Sequence, residues 1–384
     1  MSKLPGNTGV SLLGDKSLDP VSFCQQRIEK HRSRMFLCRL MNRPTSFICS
    51  VQGMRELLCE KTSLFLKDPT DLMTNMYGDT IVTTNGKHSH TYKMWSAREC
   101  VLCFKSLGTE LVLGLFLNVR AEEQPELFQE ISQLCTQHWH GLISAPVNVK
   151  VPMWSSGFSI ALDARNKLMD IIKDKLENDK EGFVGSLGSL PLPDSSSAAQ
   201  HLLLFISALI PKALASLLTS FTLALGGNEQ EEARRQATED PDYLRRVLLE
   251  VRRLWPPFIG GRRIADQDST LMGLHVPKDF GVIYISHAVH RDPEVFQEPD
   301  AFLPERWSGR NEGHEHFLCS FGNGIFVFRC QEACVYLLNN FDWCLDPPVQ
   351  NLEYKWLPVS RPANPPTVTF TQRDHTLSGR SDTS

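Results

Sequence analysis

The sequence predicts a mostly α fold with small β-sheets. Three observations predict it. Apolar residues recur at helical spacing through most of 97–144, through GFSIALDARNKLMDIIKDKLENDKEG and through PDYLRRVLLEVRRL. The most apolar stretch, AAQHLLLFISALIPKALASLLTSFTLALGG, is far too long for a strand. Between 258 and 310 the pattern changes to short runs parted by turn residues, RRIADQD, TLMGLHVPKD and FGVIYISHAV, which reads as a small sheet region.

Taken in order, the elements are these. Residues 1–20 form a Pro/Gly-rich lead-in, followed by a helix over SFCQQRIEKHRSRM. Two apolar runs around Asn42-Arg43-Pro44 predict a β-hairpin, and VQGMRELLCE opens a further helix. Helices follow to 144, broken near Glu123-Gln124-Pro125, and another spans 157–182. The Gly/Ser/Pro run 184–197 reads as a flexible connection. The apolar stretch after it could cross a bilayer by length, but Pro211-Lys212 places a kink and a charge at its centre, so it is expected as a buried core helix. Pro256-Pro257 stops the helix before the sheet region, and the polar tail 371–384 is expected to be disordered. No internal repeat is visible.

The 384 residues allow two or three ordinary domains or one large one. With 41% hydrophobic and 22% charged residues, wholesale disorder, collagen-like repeats and a polytopic membrane protein are excluded. A net charge of −4 offers no electrostatic footprint for nucleic acid. Eleven cysteines, an odd number, and an N-terminus without a signal-type apolar run point to reduced thiols in a cytosol-facing protein. The Cys100/Cys103 pair lacks partners at zinc-ligand spacing and reads as packing.

The motifs with chemistry lie between 243 and 324. Glu250 and Arg253 stand three apart on one helix face. Pro304-Glu305-Arg306-Trp307 offers a second guanidinium, so Glu250, Arg253 and Arg306 can form a mutually satisfied buried triad locking the helix to a loop. Further on comes Phe321-Gly322-Asn323-Gly324. This E-x-x-R, P-E-R-W and F-G-x-G order resembles a cytochrome P-450. LPGNTG, NRPT, GFSIALDARNKL, RRLWPPFIGGRR and KWLPVSRPANPPTVTF are similar to the branch containing retinoic-acid hydroxylases. The likeness runs over about 5–370, which implies one large domain of the cytochrome P-450 fold over 21–370. It also implies heme b, ligated by a cysteine thiolate. By the same likeness Arg263 faces a heme propionate, His90 and Lys93 belong to a propionate-binding helix, Phe321, Gly322 and Gly324 shape the heme loop, and Cys330 is the candidate iron ligand. Surface charge is an equal reading of Lys93.

Three departures accompany the likeness. Cys330 lies two residues beyond the family's ligand position, where Phe326 and Phe328 replace the expected Arg and Cys, and no Gly follows it; alternatively IFVFRCQEACVYLLNNFDW is the helix after the heme loop and the ligand segment is missing. Cys319 and Cys334 are weaker candidates. The central helix lacks the acid–alcohol pair that feeds protons to dioxygen: LFISALIPKALASLLTSF carries hydroxyls, Ser207, Ser216 and Thr219 among them, but no Asp or Glu, and Lys212 reads as a charge snorkelling to the surface. The chain is also short for the family, with losses expected after VNVKVPMW, at KMWSAREC and in the heme loop.

Three functions remain open on this basis. The first is a heme-dependent monooxygenase acting on a small lipophilic substrate such as a retinoid, sterol or fatty acid, with NADPH electrons arriving through a reductase or ferredoxin partner. The second is an isomerase or dehydratase of lipid hydroperoxides or endoperoxides, which needs no proton relay. The third is a heme-free pseudoenzyme or aberrant isoform. The expected location is the cytoplasm or the periphery of the endoplasmic reticulum, without a transmembrane anchor.

Overall fold

The structure, a computed structural model, describes residues 4–11, 19–40, 43–68, 71–78, 80, 104, 106–141, 144, 148–151, 154–190, 195–309, 314–320, 331–364 and 366–373. One end is a six-stranded sheet. Its strands are β1 (Gly6–Ser11), β2 (Met35–Leu40), β3 (Arg43–Ile48), β4 (Phe65–Lys67), β5 (Gly260–Ala265) and β6 (Gly281–Ile285), in the spatial order β1-β2-β3-β6-β5-β4. The hairpin expected around Asn42-Arg43-Pro44 is β2–β3, antiparallel, with Phe36 opposite Phe47. The lead-in, by contrast, contributes a strand: β1 runs parallel to β2. A long-range pairing supplies that strand, and no alternation in LPGNTGVS announces it.

Behind the sheet stands a helical body. Its helices are α1 (Pro20–His31), α2 (Ser106–Leu117), α3 (Pro125–Gly141) and α4 (Gly157–Asn178). They are followed by a central helix α5, then α6 (Pro241–Leu254) and α7 (Gln331–Asn340). Helix α5 has three parts, Ser195–Leu204, a π turn at Phe205–Leu209 and Ile210–Ala224. The π turn has a local cause. Pro211 offers no N–H to the Ser207 carbonyl four residues earlier, and the Ile210 N–H reaches back to the Phe205 carbonyl instead.

Ser196–Ala224 is long and apolar enough to cross a membrane, and 72% of its apolar window is buried inside the protein. Its Leu202, Leu203, Leu204 and Ile206 join Leu113 of α2, Ile131 of α3 and Leu168 of α4 in one core, and Leu214, Leu217 and Phe221 join α6 and α7 in a second. A third core, with Met35, Ile48, Val282 and Trp307, lies under the sheet.

Two expectations are corrected. The run 184–197 is not one flexible connection: Gly182–Gly188 is a helix with Val184 and Leu187 buried, and α5 begins at Ser195. Composition there signals a linker, while burial of two aliphatic side chains decides for helix. The tail 371–384 is ordered at its start, since Val368–Gln372 pairs with Phe341–Leu345 and the Arg373 guanidinium donates to Asp342 Oδ1 at 2.7 Å.

Candidate functional site

Helix α6 carries the first part of the site. Asp240 caps it by accepting from the Asp242 N–H, Pro241 opens it, and the chain leaves helical geometry at Trp255, ahead of Pro256-Pro257. The i,i+3 spacing then brings Glu250 and Arg253 side by side, both 0% exposed. Arg253 Nε and Nη2 each donate to the Glu250 carboxylate at 2.9 Å. Arg306 Nε, Trp307 Nε1 and the Leu303 N–H donate to the same carboxylate, all at 2.9 Å. Arg253 spends its remaining donors on the carbonyls of His290 (2.9 Å), Pro299 (2.6 Å) and Ala301 (3.0 Å). The one carboxylate of this buried knot is saturated with donors from two guanidiniums, an indole and a backbone N–H, and it clamps α6 to segment 290–307. The indole of Trp307 and the carbonyls of 290–301 are partners that motif reading leaves out.

Strand β5 carries the second part. A Cβ at Gly260 would fall 1.8 Å from the Tyr284 carbonyl oxygen, so only glycine lets β5 lie this close to β6. Past this contact the strand alternation sends Arg262 and Arg263 to opposite faces. Arg262 Nη2 pairs with Asp68 at 2.8 Å. Arg263 is directly opposite Lys67 of β4, two cations across one antiparallel pair. Among the described residues no carboxylate pairs with Arg263, whose Nη1 donates only to the Arg262 carbonyl at 2.7 Å, and burial lowers its pKa. Like charges opposite one another are unfavourable unless an anion joins them. This arrangement fits a heme propionate.

Two of the candidate thiols are described. Cys319 is buried, its pKa pushed up to about 12 by desolvation, and its Sγ donates to Ser286 Oγ at 3.6 Å. Cys334 is 0% exposed in the core between α6 and α7. Both are packed in the protein core. Cys330, Phe321, Gly322 and Gly324 lie outside the described residues, as do His90 and Lys93.

The central helix supplies the third part. On α5 the partly buried positions Phe205, Leu209, Lys212, Ala215 and Thr219 recur at helical spacing and form one open line along the middle of the helix, with Phe205 and Leu209 also packed against the first core. Lys212 is partly exposed, and its Nζ sits 5.4 Å from the centre of the Trp139 ring on α3. Two of the hydroxyls are engaged. Ser216 Oγ donates to the Ser360 carbonyl at 2.8 Å, and Ser207 Oγ lies 2.8 Å from the Leu203 carbonyl and 3.0 Å from His138 Nδ1.

Comparison with known proteins gives the following. The cytochrome P450 family matches residues 193–325. The cytochrome P450 120 sequence of Synechocystis sp. is 30% identical over 293 residues, covering 66% of this chain and 63% of the relative, so the chain spans less than two thirds of that relative's length. Protopanaxadiol 6-hydroxylase of Panax ginseng is 22% identical over 411 residues, covering 88% of this chain and 87% of the relative. That span exceeds the 384 residues of the chain, so the relative carries segments that this chain lacks. Among solved structures, a retinoic acid-bound cyanobacterial CYP120A1 superposes with a TM-score of 0.77 at 22% identity, covering 97% of this chain and 100% of the other.

Proposed function

The chain belongs to the cytochrome P450 superfamily, and from that premise we propose that it is a heme-thiolate monooxygenase acting on a small lipophilic carboxylic acid of retinoid or fatty-acid type. The observation that carries the heme is the buried Arg263 guanidinium, opposite Lys67 across the β4–β5 pair and without a carboxylate partner among the described residues. In this reading Arg263 and Lys67 hold a propionate, His90 and Lys93 add to it, and Cys330 provides the thiolate. When bound, the heme supplies oxygen activation, with electrons from NADPH passed through a reductase or ferredoxin partner. The protein's own part is to bind, orient and keep dry.

The open line on α5 supports the substrate assignment. Phe205, Leu209 and Ala215 offer an apolar wall, and Lys212 is the single Lys or Arg of the whole helix, placed on that wall beside an aromatic ring. A lipophilic tail with an anionic head suits such a surface, because the tail can lie on the apolar side chains while the head meets the one Lys or Arg of the helix. The test is turnover of a retinoid or fatty acid with NADPH and reductase, alongside the reduced carbon monoxide spectrum. Lys212→Met is expected to raise KM for the acid about tenfold while leaving that of its methyl ester unchanged. Equal effects on acid and ester overturn the assignment.

A second reading is favoured by one specific observation: Ser207 and Ser216 are already committed to carbonyls and to His138, and α5 has no carboxylate. An isomerase or dehydratase of lipid hydroperoxides needs no such relay. Turnover of a fatty-acid hydroperoxide without NADPH and reductase decides for it.

A further inference from the structure

The carboxyl end of α6 leaves carbonyls that no helix N–H can satisfy. Three side chains take them. The Arg291 Nη1 donates to the Leu254 carbonyl at 3.1 Å, and Ser320 Oγ donates to the Arg252 carbonyl at 3.2 Å. His290 Nδ1 lies 3.2 Å from the Arg253 carbonyl. A carbonyl only accepts, so Nδ1 carries the proton and Nε2 is left as an acceptor. The Cys319 N–H donates to that Nε2 at 2.8 Å. Ser286 completes the set: its Oγ donates to the Cys319 carbonyl at 3.4 Å and receives the Cys319 thiol at 3.6 Å. The neutral tautomer protonated at Nδ1 and one hydroxyl rotamer satisfy these contacts, and Cys319 Sγ also lies 3.4 Å from Nε2. His290, Arg253 and Ser286 are each 0% exposed, Cys319 and Ser320 2%.

The connection is reciprocal. Arg253 Nη1 donates to the His290 carbonyl at 2.9 Å, while the His290 ring returns a hydrogen bond to the Arg253 carbonyl. The residue that compensates Glu250 is thus joined through one imidazole to the backbone of Cys319, two positions before Phe321.

We propose that His290 is a positioning residue for the chain that leads to the iron ligand, fixing the backbone at Cys319–Ser320 to the last turn of the Glu250/Arg253 helix. The inference rests on the heme-thiolate reading of that segment. It concerns a residue that contacts neither heme nor substrate, and it acts through the Cys319 N–H. Burial keeps the ring neutral, its pKa lowered to about 3, so the acceptor at Nε2 persists across the physiological range.

Two amides separate this role from simple core filling. His290→Gln can place an acceptor near the position of Nε2, whereas His290→Asn can replace only the donor at Nδ1. With hemin-loaded full-length protein, Gln is expected to keep the thiolate-type carbon monoxide band and Asn to move most of the signal to the neutral-thiol form, at equal hemin content. Identical spectra for Asn and the unaltered protein overturn the proposal. A readout independent of heme is the Cys319 amide in the apoprotein. Its exchange in the unaltered protein is expected to be as slow as that of the α6 amides, and at least tenfold faster in Asn than in Gln. Fast exchange in the unaltered protein, or no difference between the variants, overturns it as well. If the unaltered protein shows no thiolate band at all, the heme-thiolate reading fails, and the exchange experiment still decides the anchoring role. If the Asn variant does not fold, exchange in the unaltered protein and in Gln carries the decision.

Discussion

Glu250 accepts five hydrogen bonds with no exposure to solvent, and two of its donors are guanidiniums. Glu250→Gln preserves the shape of the side chain and removes its charge, leaving Arg253 and Arg306 uncompensated. Breaking one side of a buried ion pair costs about 3–5 kcal/mol, whereas Arg306→Lys, which loses the forked geometry but keeps the charge, is expected to cost about half as much. Urea unfolding with an unchanged m-value measures both. Arg263 behaves in the opposite manner. Buried and without a carboxylate partner among the described residues, its charge is disfavoured by desolvation in the apoprotein. Arg263→Leu is therefore expected not to lower the apoprotein's unfolding midpoint, yet to weaken hemin binding roughly tenfold or more, the loss of one charge-assisted hydrogen bond. A destabilised apoprotein with unaltered hemin affinity would show that Arg263 serves the sheet alone.

Elements differ in how far their own residues announce them. Periodicity is enough for α4 and α6, and turn residues are enough for the β2–β3 hairpin, because the side chains that decide these elements lie within them. Strand β1 and the helix Gly182–Gly188 depend on distant partners, and local composition points elsewhere. The candidate site divides in the same way. Glu250, Arg253 and Arg306 were legible from two short motifs, but the meeting of Lys67 with Arg263 and of His290 with Cys319 joins residues far apart in sequence that carry no motif of their own. A buried histidine between elements also gives the fold a pH dependence. His138 on α3 donates through Nε2 to the Met76 carbonyl at 2.9 Å, with Nδ1 facing Ser207 of the π turn on α5. Burial lowers its pKa from 6.5 to about 4, helped slightly by Arg165 and opposed by the Met76 contact. Between these values the unfolded chain binds the extra proton, so stability is fully present above about pH 6.5 and falls as the pH drops toward 4. The loss amounts to about 3 kcal/mol if the whole shift is realised. His138→Gln is expected to flatten this part of the pH–stability profile, measured by denaturant unfolding at successive pH values; an unchanged slope would place the titrating group elsewhere.

At the scale of the whole molecule, the sheet end and the helical body are joined by α6, whose apolar face enters the core with α5 and α7 while its Glu250 knot holds 290–307. The family likeness and this architecture share one consequence. Arg263 and Lys67, which the proposed function assigns to a propionate, lie on the sheet, and the open line of α5 belongs to the helical body. A heme held at both would link the two ends of the molecule, and binding to the folded state alone would stabilise it by RT ln(1 + [L]/Kd). At a thousandfold excess of free hemin over Kd this is about 4 kcal/mol, and at this chain length it corresponds to a rise in Tm of roughly 5–10 °C. Calorimetry across a hemin series is expected to show a single transition moving upward with the logarithm of hemin concentration. The same series run on Cys330→Ser and Cys319→Ser separates the thiols: the first should lose the thiolate-type spectrum and part of the shift, and the second should keep both. No shift at any hemin concentration would leave the heme-free scaffold as the reading that fits this chain, with the Glu250 knot preserved for folding alone.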